Sequence, residues 1–584
     1  MALDDLLPQT QEPTDVLSQK ILIGGTAISN DIGVFTITVV KQFNKIATAK
    51  IVLLDGNAAD REFALSNEDL FVPGSEIEIQ LGYHQLMETV FKGVITKHAL
   101  KAKQNSSFLY LEAKDKSVSL ALRRKNNYFF DQKDSDVMDT LASNAGLTTD
   151  IEITAVTYKE MVQYNCTDWD FILSRAEMNS MLVLTDDGKL IIKKPSLAGS
   201  SILTATYGSN IYEFESDIDA RRQFKSIKSH SWNYSDQQLQ NSDDGSSALS
   251  EEGNLSSSEI ADVLNSEEYA VNHAAFIGDE ELKEWADAYA MKSILSKICG
   301  KVKVQGVTAV KPGSIITLDG MSDRFNGKVF VTGIQQVFSD QNFYTEIMFG
   351  WNHEWFYKAD DIIEKPSAGL VPGINGLHTG IVTKLESDPD SEFRVKVKIP
   401  LINNDEEGIW CRIALLDAGN ERGSFFMPEI NDEVVLGFVN DDPRHGIILG
   451  MLHSQSMAAP VTPSDDNHEK GFYTRSKMKL VFNDDKKSIT IITPKNKSIV
   501  ISDDDGSIIL SDELSNKITM NNDGITIESQ KDIQLKATGN IKGEATQNIE
   551  LTATAGLKAK GTATSDFGDT ACVTSLKGSM VNIN

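Results

Sequence analysis

From Ile525 onward, apolar residues recur in pairs on an eight-residue spacing: Ile525 and Ile527, Ile533 and Leu535, Ile541 and Gly543, Ile549 and Leu551, Leu557 and Ala559. Val573 and Ser575, then Val581 and Ile583, rejoin the register, and Ser565 with Phe567 fills the remaining slot. Residues two apart on extended backbone point to one face, with polar Thr526, Gln534, Lys542, Glu550 and Lys558 between them. Asp523-Gly524, Gly539-Asn540 and Ala555-Gly556 fall where turns belong.

An octad holds one strand of about five residues and a bend, and such strands cannot bury a face alone. They must stack in layers. A flat stack in one chain leaves two long open edges, whereas three chains wound round one axis cover the edges and enclose the apolar pairs. The reading is a trimeric, three-sided β-needle over residues 475–584. The alternative is a single-chain solenoid of three octads per coil, which composition does not exclude.

A chain of 584 residues has room for about four domains. Acidic residues number 84 against 56 basic, a net charge of −28. That balance argues against a nucleic-acid surface, which rests on clustered Lys and Arg, and supplies solubility. Met1 to Thr10 shows no basic region followed by an apolar one, and no apolar run reaches membrane-span length, so synthesis in the cytoplasm without a signal peptide is expected. Cys166, Cys299, Cys411 and Cys572 are far apart and form no CxxC, which reads as reduced thiols.

Residues 1–20, with Pro8 and Pro13, read as an extended arm. Alternation marks strands at Val34 to Val40 and Glu76 to Leu81, with Phe91 to Gly93 following. Ser135 is placed to cap a helix carrying Val137, Met138 and Leu141 and ending at Gly146; Thr167 starts a second, with Trp169, Ile172 and Ala176 on one face. Trp169 and Phe171 read as core rather than as a ligand clamp. Strands at Leu182 to Leu184 and Leu190 to Ile192 flank Asp187-Gly188. Residues 233–270, rich in Ser, Asn, Asp and Glu, read as one long mobile loop. A helix with Leu282, Trp285 and Tyr289 runs to Gly300, and strands return at Lys301 to Val304, Ser314 to Leu318 and Val329 to Gly333.

These segments read as one α+β region over residues 21–365, and the Pro- and Gly-punctuated stretch 366–376 reads as a linker. Residues 377–455 hold five expected short strands, at Val395 to Ile399, Trp410 to Ala414, Ser424 to Met427, Glu433 to Phe438 and Gly446 to Gly450, which fits an OB-type barrel. Without an aromatic and basic groove it reads as a structural collar. A second linker spans 456–474. The pairs Ile489 and Ile491, Ile499 and Ile501, Ile508 and Leu510, and Ile518 and Met520 then precede the octads at uneven spacing.

The runs FRVKVKIP and IWCRIALLDAGNERGSFFMPEINDEVVLGFVNDDPRHGIILGMLH resemble the OB signature of VgrG-type spike proteins of type VI secretion and of phage-tail-like contractile injection systems. LFVPGSEIEIQLGY, VFKGVI, CTDWDFILSRAEMNSMLVLTDDGKL and FNGKVFVTGIQQVF are similar to that family's hub. The resemblance implies a mainly β homotrimer with some α: a hub of β-barrels with α+β insertions, an OB-fold barrel and a C-terminal triple-stranded intertwined β-helix. It implies tube and baseplate proteins as hub partners, a target membrane punctured transiently, and expulsion from the cell or particle on contraction. It implies a PAAR-repeat cap on the final layers, Lys577, Gly578, Ser579, Met580, Val581, Asn582, Ile583 and Asn584. With nothing after Asn584, no fused effector is expected and cargo would be separate. The needle core expected from the octads is Ile525, Ile527, Ile533, Leu535, Ile541, Ile549, Leu551, Leu557 and Val573.

Chemistry finds little purchase. There is no GxSxG, HExxH or P-loop, and no carboxylate pair stands in an apolar context. His445 and His453 read as surface residues, since zinc needs three or four suitably spaced ligands. Asp503-Asp504-Asp505-Gly506 lacks EF-hand spacing and reads as a solvated turn. No enzyme, cofactor or metal site is expected. The competing classes are a cell-surface adhesin or fibre and a carbohydrate-active β-helix enzyme, which would need catalytic residues along one needle face.

Overall fold

The computed structural model describes residues 16–103, 106–339, 342–359, 362–564, 566–568, 571 and 573–582. Contacts divide the chain into two units, Met1–Ile374 with Asn440–Asp442, and Asn375–Val439 with Pro443–Asn584. The chain is mainly β with some α, as expected.

In the first unit a 13-stranded sheet joins segments far apart in sequence. Val34–Gln42 pairs with Thr48–Leu54 on one side and with Gly327–Ser339 on the other, so the start and end of the hub share one ladder. Alternation sets the inward row of Val34–Gln42, in which Ile37 and Val39 are buried; Phe35, of the same parity, lies at the register shift between Val34 and Thr36 and is exposed. Lys41 continues that inward row. It is buried because Asp186 and Asp187, at the tip of the hairpin Leu182–Asp186 and Lys189–Lys193, hold its ammonium, Asp187 at 3.0 Å. Of the expected arm, residues 1–15 lie outside the described residues, and Leu17–Ile23 is a strand paired with Glu76–Tyr83.

The α+β part lies between the two halves of this sheet in sequence. Helix α1, Asp134–Asn144, starts one residue before the expected cap: Lys133 is the N-cap, the Asp136 carboxylate accepts from its N–H at 3.4 Å, and Ser135 is buried inside the first turn. Helix α2, Asp168–Met178, is capped as read, the Thr167 hydroxyl accepting from Asp170 N–H at 3.0 Å. Trp169 and Phe171 are buried in the core that α1 and α2 share, as expected. Arg175 ties these helices by donating to Asp134 at 2.6 and 2.9 Å, and Asn179 donates to the same carboxylate at 2.7 Å.

Two expectations are corrected. The loop read over 233–270 carries the strand Gln238–Asn241, helix α3 (Ser257–Val263) and the start of the strand Glu268–His273. The polar run conceals a capping box, Ser256 Oγ accepting from Glu259 N–H while Glu259 accepts from Ser256 N–H, and Ile260 and Ala261 are buried behind it. Helix α4, Asp279–Leu295, stops before Gly300, which sits within the strand Ile298–Gln305, where a Cβ would come within 2.5 Å of Glu215 O.

The second unit opens with a closed five-stranded barrel: β1 His378–Lys384, β2 Val395–Lys398, β3 Ile409–Ile413, β4 Glu433–Phe438 and β5 Gly446–Met451. Strand order is β1-β2-β3-β5-β4, closing on β1, with β3 and β5 parallel and the other pairs antiparallel. Val382, Val395, Val397, Cys411, Val434, Leu436 and Ile448 fill it. One strand expectation fails, and one strand lies where none is expected. Ser424 to Met427 forms no strand, and Phe425 and Phe426 face outward. Strand β1 escapes notice because its inward row runs through Gly380, where a Cβ would sit 2.5 Å from Val397 Cγ1, so one apolar beat is missing from the alternation.

After the barrel comes a seven-stranded antiparallel ladder made by one chain: β6 Glu469–Tyr473, β7 Lys479–Asn483, β8 Ser488–Ile492, β9 Ser498–Ser502, β10 Ser507–Ser511, β11 Lys517–Asn521 and β12 Gly524–Glu528. The expected linker 456–474 therefore ends early, since β6 pairs with β7. The single-chain solenoid coil is not what these residues form; each strand pairs with its sequence neighbour. Among the described residues, strand pairing ends at Glu528. The needle, read as one architecture from 475, changes character where the strict octads set in.

Candidate interaction surface

The ladder's register explains the uneven spacing of its apolar pairs. Turns of four residues, 484–487 and 503–506, alternate with turns of five, 474–478, 493–497 and 512–516. Strands on the same side therefore repeat every 19 residues, from Lys479 to Ser498 to Lys517. The turn chemistry is local: in Asp503 to Gly506 the Gly506 N–H donates to Asp503 O at 3.1 Å, the Asp505 N–H donates to Ser502 Oγ at 3.1 Å, and Gly506 takes φ +55°. That acidic cluster is a turn, as read.

Pairing across these hairpins aligns the apolar residues in two columns on one face. Leu480, Ile491, Ile499, Leu510, Ile518 and Ile527 form one column. Phe482, Ile489, Ile501, Ile508, Met520 and Ile525 form the other. Six strands at about 4.8 Å make a stripe roughly 24 Å long and two side chains wide. In one chain nothing covers it: Ile491 is 47 % exposed, Ile501 42 % and Ile527 56 %. A shallow groove of about 590 Å³ runs along the first column, from Ile491 to Ile533. The opposite face carries Thr490, Val500, Ile509, Thr519 and Thr526 in the same registers. Leu480 and Phe482 were missed in the sequence, although they show the same spacing of two, nine residues before Ile489 and Ile491.

The residues assigned to the needle core are all exposed: Ile525, Ile527, Ile533, Leu535, Ile541, Ile549, Leu551, Leu557 and Val573. Ile525 and Ile527 complete the two columns; the others lie beyond the ladder. Of the assigned tip residues, Lys577, Gly578, Ser579, Met580, Val581 and Asn582 are exposed and outside any strand, and Ile583 and Asn584 lie outside the described residues. The barrel and ladder touch within their unit. Phe426 stacks on Phe472 of β6 at 5.3 Å, and Arg475 pairs with Glu429 at 2.7 Å.

Chemistry-bearing residues do not converge. His445 and His453 are exposed, and among the described residues no three His, Cys, Asp or Glu side chains group as a metal site. Burial pushes the Cys299 thiol up to about 11 and the Cys411 thiol up to about 12, leaving both protonated at neutral pH; Cys572 lies outside the described residues. A cleft of about 640 Å³ in the first unit has Trp351, His353 and Trp355 on its wall, but Lys292 and Glu177 beneath it are paired to each other and to the backbone at Glu354 and Phe356. They pin that segment. No helix among the described residues is long and apolar enough to cross a membrane.

Residues 378–453 match the family model described as the type VI secretion system/phage-baseplate injector OB domain, which places the barrel in the class of VgrG-type injector spikes. The chain belongs to the family described as the Alg8 N-terminal domain, whose model matches residues 13–340, more than half of it. Over 80 residues it is 34 % identical to the type VI secretion system spike protein VgrG3 of Vibrio cholerae, covering 13 % of this chain and 8 % of that one. Over 113 residues it is 27 % identical to the spike protein VgrG1a of Pseudomonas aeruginosa, covering 18 % of each. The chain thus spans less than a fifth of the length of these relatives. A 43 kDa tail protein of prophage MuSo2 from Shewanella oneidensis superposes with a TM-score of 0.43 at 13 % identity, over 57 % of this chain and 98 % of that one.

Proposed function

We propose that this chain is the central spike and hub of a contractile injection or type VI secretion machine, acting as a homotrimer and not as an enzyme. The observation that carries the reading is the pair of exposed apolar columns, Leu480 to Ile527 and Phe482 to Ile525, following directly on a barrel of the injector class. A face of this size and composition left in water favours aggregation. Three copies turning these columns inward would bury them and would give the octads strand partners, which the described residues after Glu528 lack in one chain. Ile533, Leu535, Ile541, Ile549, Leu551, Leu557 and Val573 would then be core.

In this role the hub engages tube and baseplate proteins, the barrel serves as collar, and Lys577 to Asn584 seat a PAAR-repeat cap. Exposed Met580 and Val581 support an apolar docking layer at that end. Separate effector cargo and transient puncture of a target membrane follow from the same reading, with expulsion on contraction. The test is capture of a PAAR-repeat protein by the full chain and by a chain stopped at Gly556. The full chain is expected to retain the cap and the shortened chain to lose it; equal capture by both would remove the tip assignment.

A further inference from the structure

Resting on the trimer reading above, we infer that the ladder, not the octad repeat, is where three copies first associate and where their register is set. Two observations point there. The ladder's strands already pair within one chain, held by turns of two, four and five residues, so its apolar columns exist as a formed face before a second copy arrives. After Glu528 the described residues make no strand pairs of their own. Ordering them costs chain entropy at every residue with no bonds inside the chain to offset it, so they cannot begin the association.

The second observation concerns register. A shift of one octad lays Ile525 and Ile527 where Ile533 and Leu535 stood and Ile541 where Ile549 stood, and only small residues such as Gly543, Ala559, Ser565 and Ser575 break the equivalence, so the repeat distinguishes correct from slipped alignment weakly. The ladder does distinguish them. Paired strands on one side repeat every 19 residues, so a shift of eight carries Ile489 to the place of Lys497 in a turn, Ile501 to that of Ile509 on the opposite face and Ile508 to that of Asn516 in a turn. Phe482 at one end of its column and Met520 next to Ile525 at the other further mark its direction. The occupant of the stripe is therefore the same stripe on two other copies. Its uncharged Ile, Leu, Met and Phe side chains are self-complementary, and the i, i+2 pairing continues without interruption into the octads.

The test uses full-length variants and their mass by light scattering. Ile501→Asp with Ile508→Asp places carboxylates on the stripe at a cross-strand pair. Ile541→Asp with Ile549→Asp does the same in the octads. Thr490→Asp lies on the same sheet but on its other face. The ladder pair is expected to reduce the trimer at least about tenfold, carboxylates being costly to enclose in an apolar face. The octad pair and Thr490→Asp are expected to remain trimeric. A monomeric octad variant would overturn the inference while leaving the trimer intact as a reading, and so would a trimeric ladder variant. Dissociation of Thr490→Asp would show that any charge on the sheet acts, which also removes the stripe as the seed. A monomeric unsubstituted chain would instead end the trimer reading itself.

Discussion

Glu252 gives the hub a pH dependence whose size follows from its surroundings. The side chain is 8 % exposed, and its Oε1 accepts from the Phe330 N–H at 3.2 Å. Burial is the main influence and raises its carboxyl to about 7, against lowering contributions from that hydrogen bond and from Lys297. Lys297, itself buried, is occupied by Glu251 at 2.6 Å and by the Leu255 carbonyl, so it does not serve Glu252 as a close partner. An acid with a raised folded pKa binds its proton more tightly in the folded chain. Its contribution is therefore intact below about 4.5 and is lost as pH rises through about 7. Two to three pKa units correspond to about 3 kcal/mol. Glu252→Gln keeps an acceptor for Phe330 and removes the charge, so its urea midpoint should exceed that of the parent above pH 7 and converge with it near pH 4.5. Five of the six tryptophans, Trp169, Trp232, Trp285, Trp351 and Trp355, lie in the first unit, so their fluorescence reports it. Parallel midpoints for the two chains from pH 4 to 8, or a variant weaker at pH 8, would refute the reasoning.

Arg175→Met leaves Asp134 buried without its guanidinium, and the hub should lose about 3 to 5 kcal/mol in urea unfolding; a loss under about 1 kcal/mol would show that Asn179 alone satisfies the carboxylate. In the barrel, Gly380→Val forces a side chain against Val397 and should cost several kcal/mol by overpacking, about 1 to 3 or more. Gly450→Ala meets no atom within 4 Å and should leave stability nearly unchanged. Fluorescence of Trp410, on β3, separates the two; equal behaviour would mean that the close approach at Gly380 is not a packing constraint.

The sequence makes the period of its strands legible but not always their partners. Ile37 and Val39 announce an inward row by alternation, while Lys41 in the same row does not, because its burial depends on Asp186 and Asp187 more than a hundred residues away. Thr167 and Asp170 are readable as a cap since both halves of the motif are local. Ser256 and Glu259 form the same device, but a surrounding run of Ser, Asn and Glu outweighs two buried residues, Ile260 and Ala261. Strand β1 is lost to Gly380 because a small residue demanded by close packing looks like a break. At the ladder, the pairs from Ile489 to Met520 are visible, yet their uneven spacing becomes intelligible only once alternating turn lengths are known. The tip residues are visible only as the end of a repeat.

The most direct test of the account is the mass of the full chain in solution by light scattering at micromolar concentration. Association through the apolar columns predicts three times 64.2 kDa. A mass of 64.2 kDa would mean that the columns stay open in water, and would contradict the interwound spike.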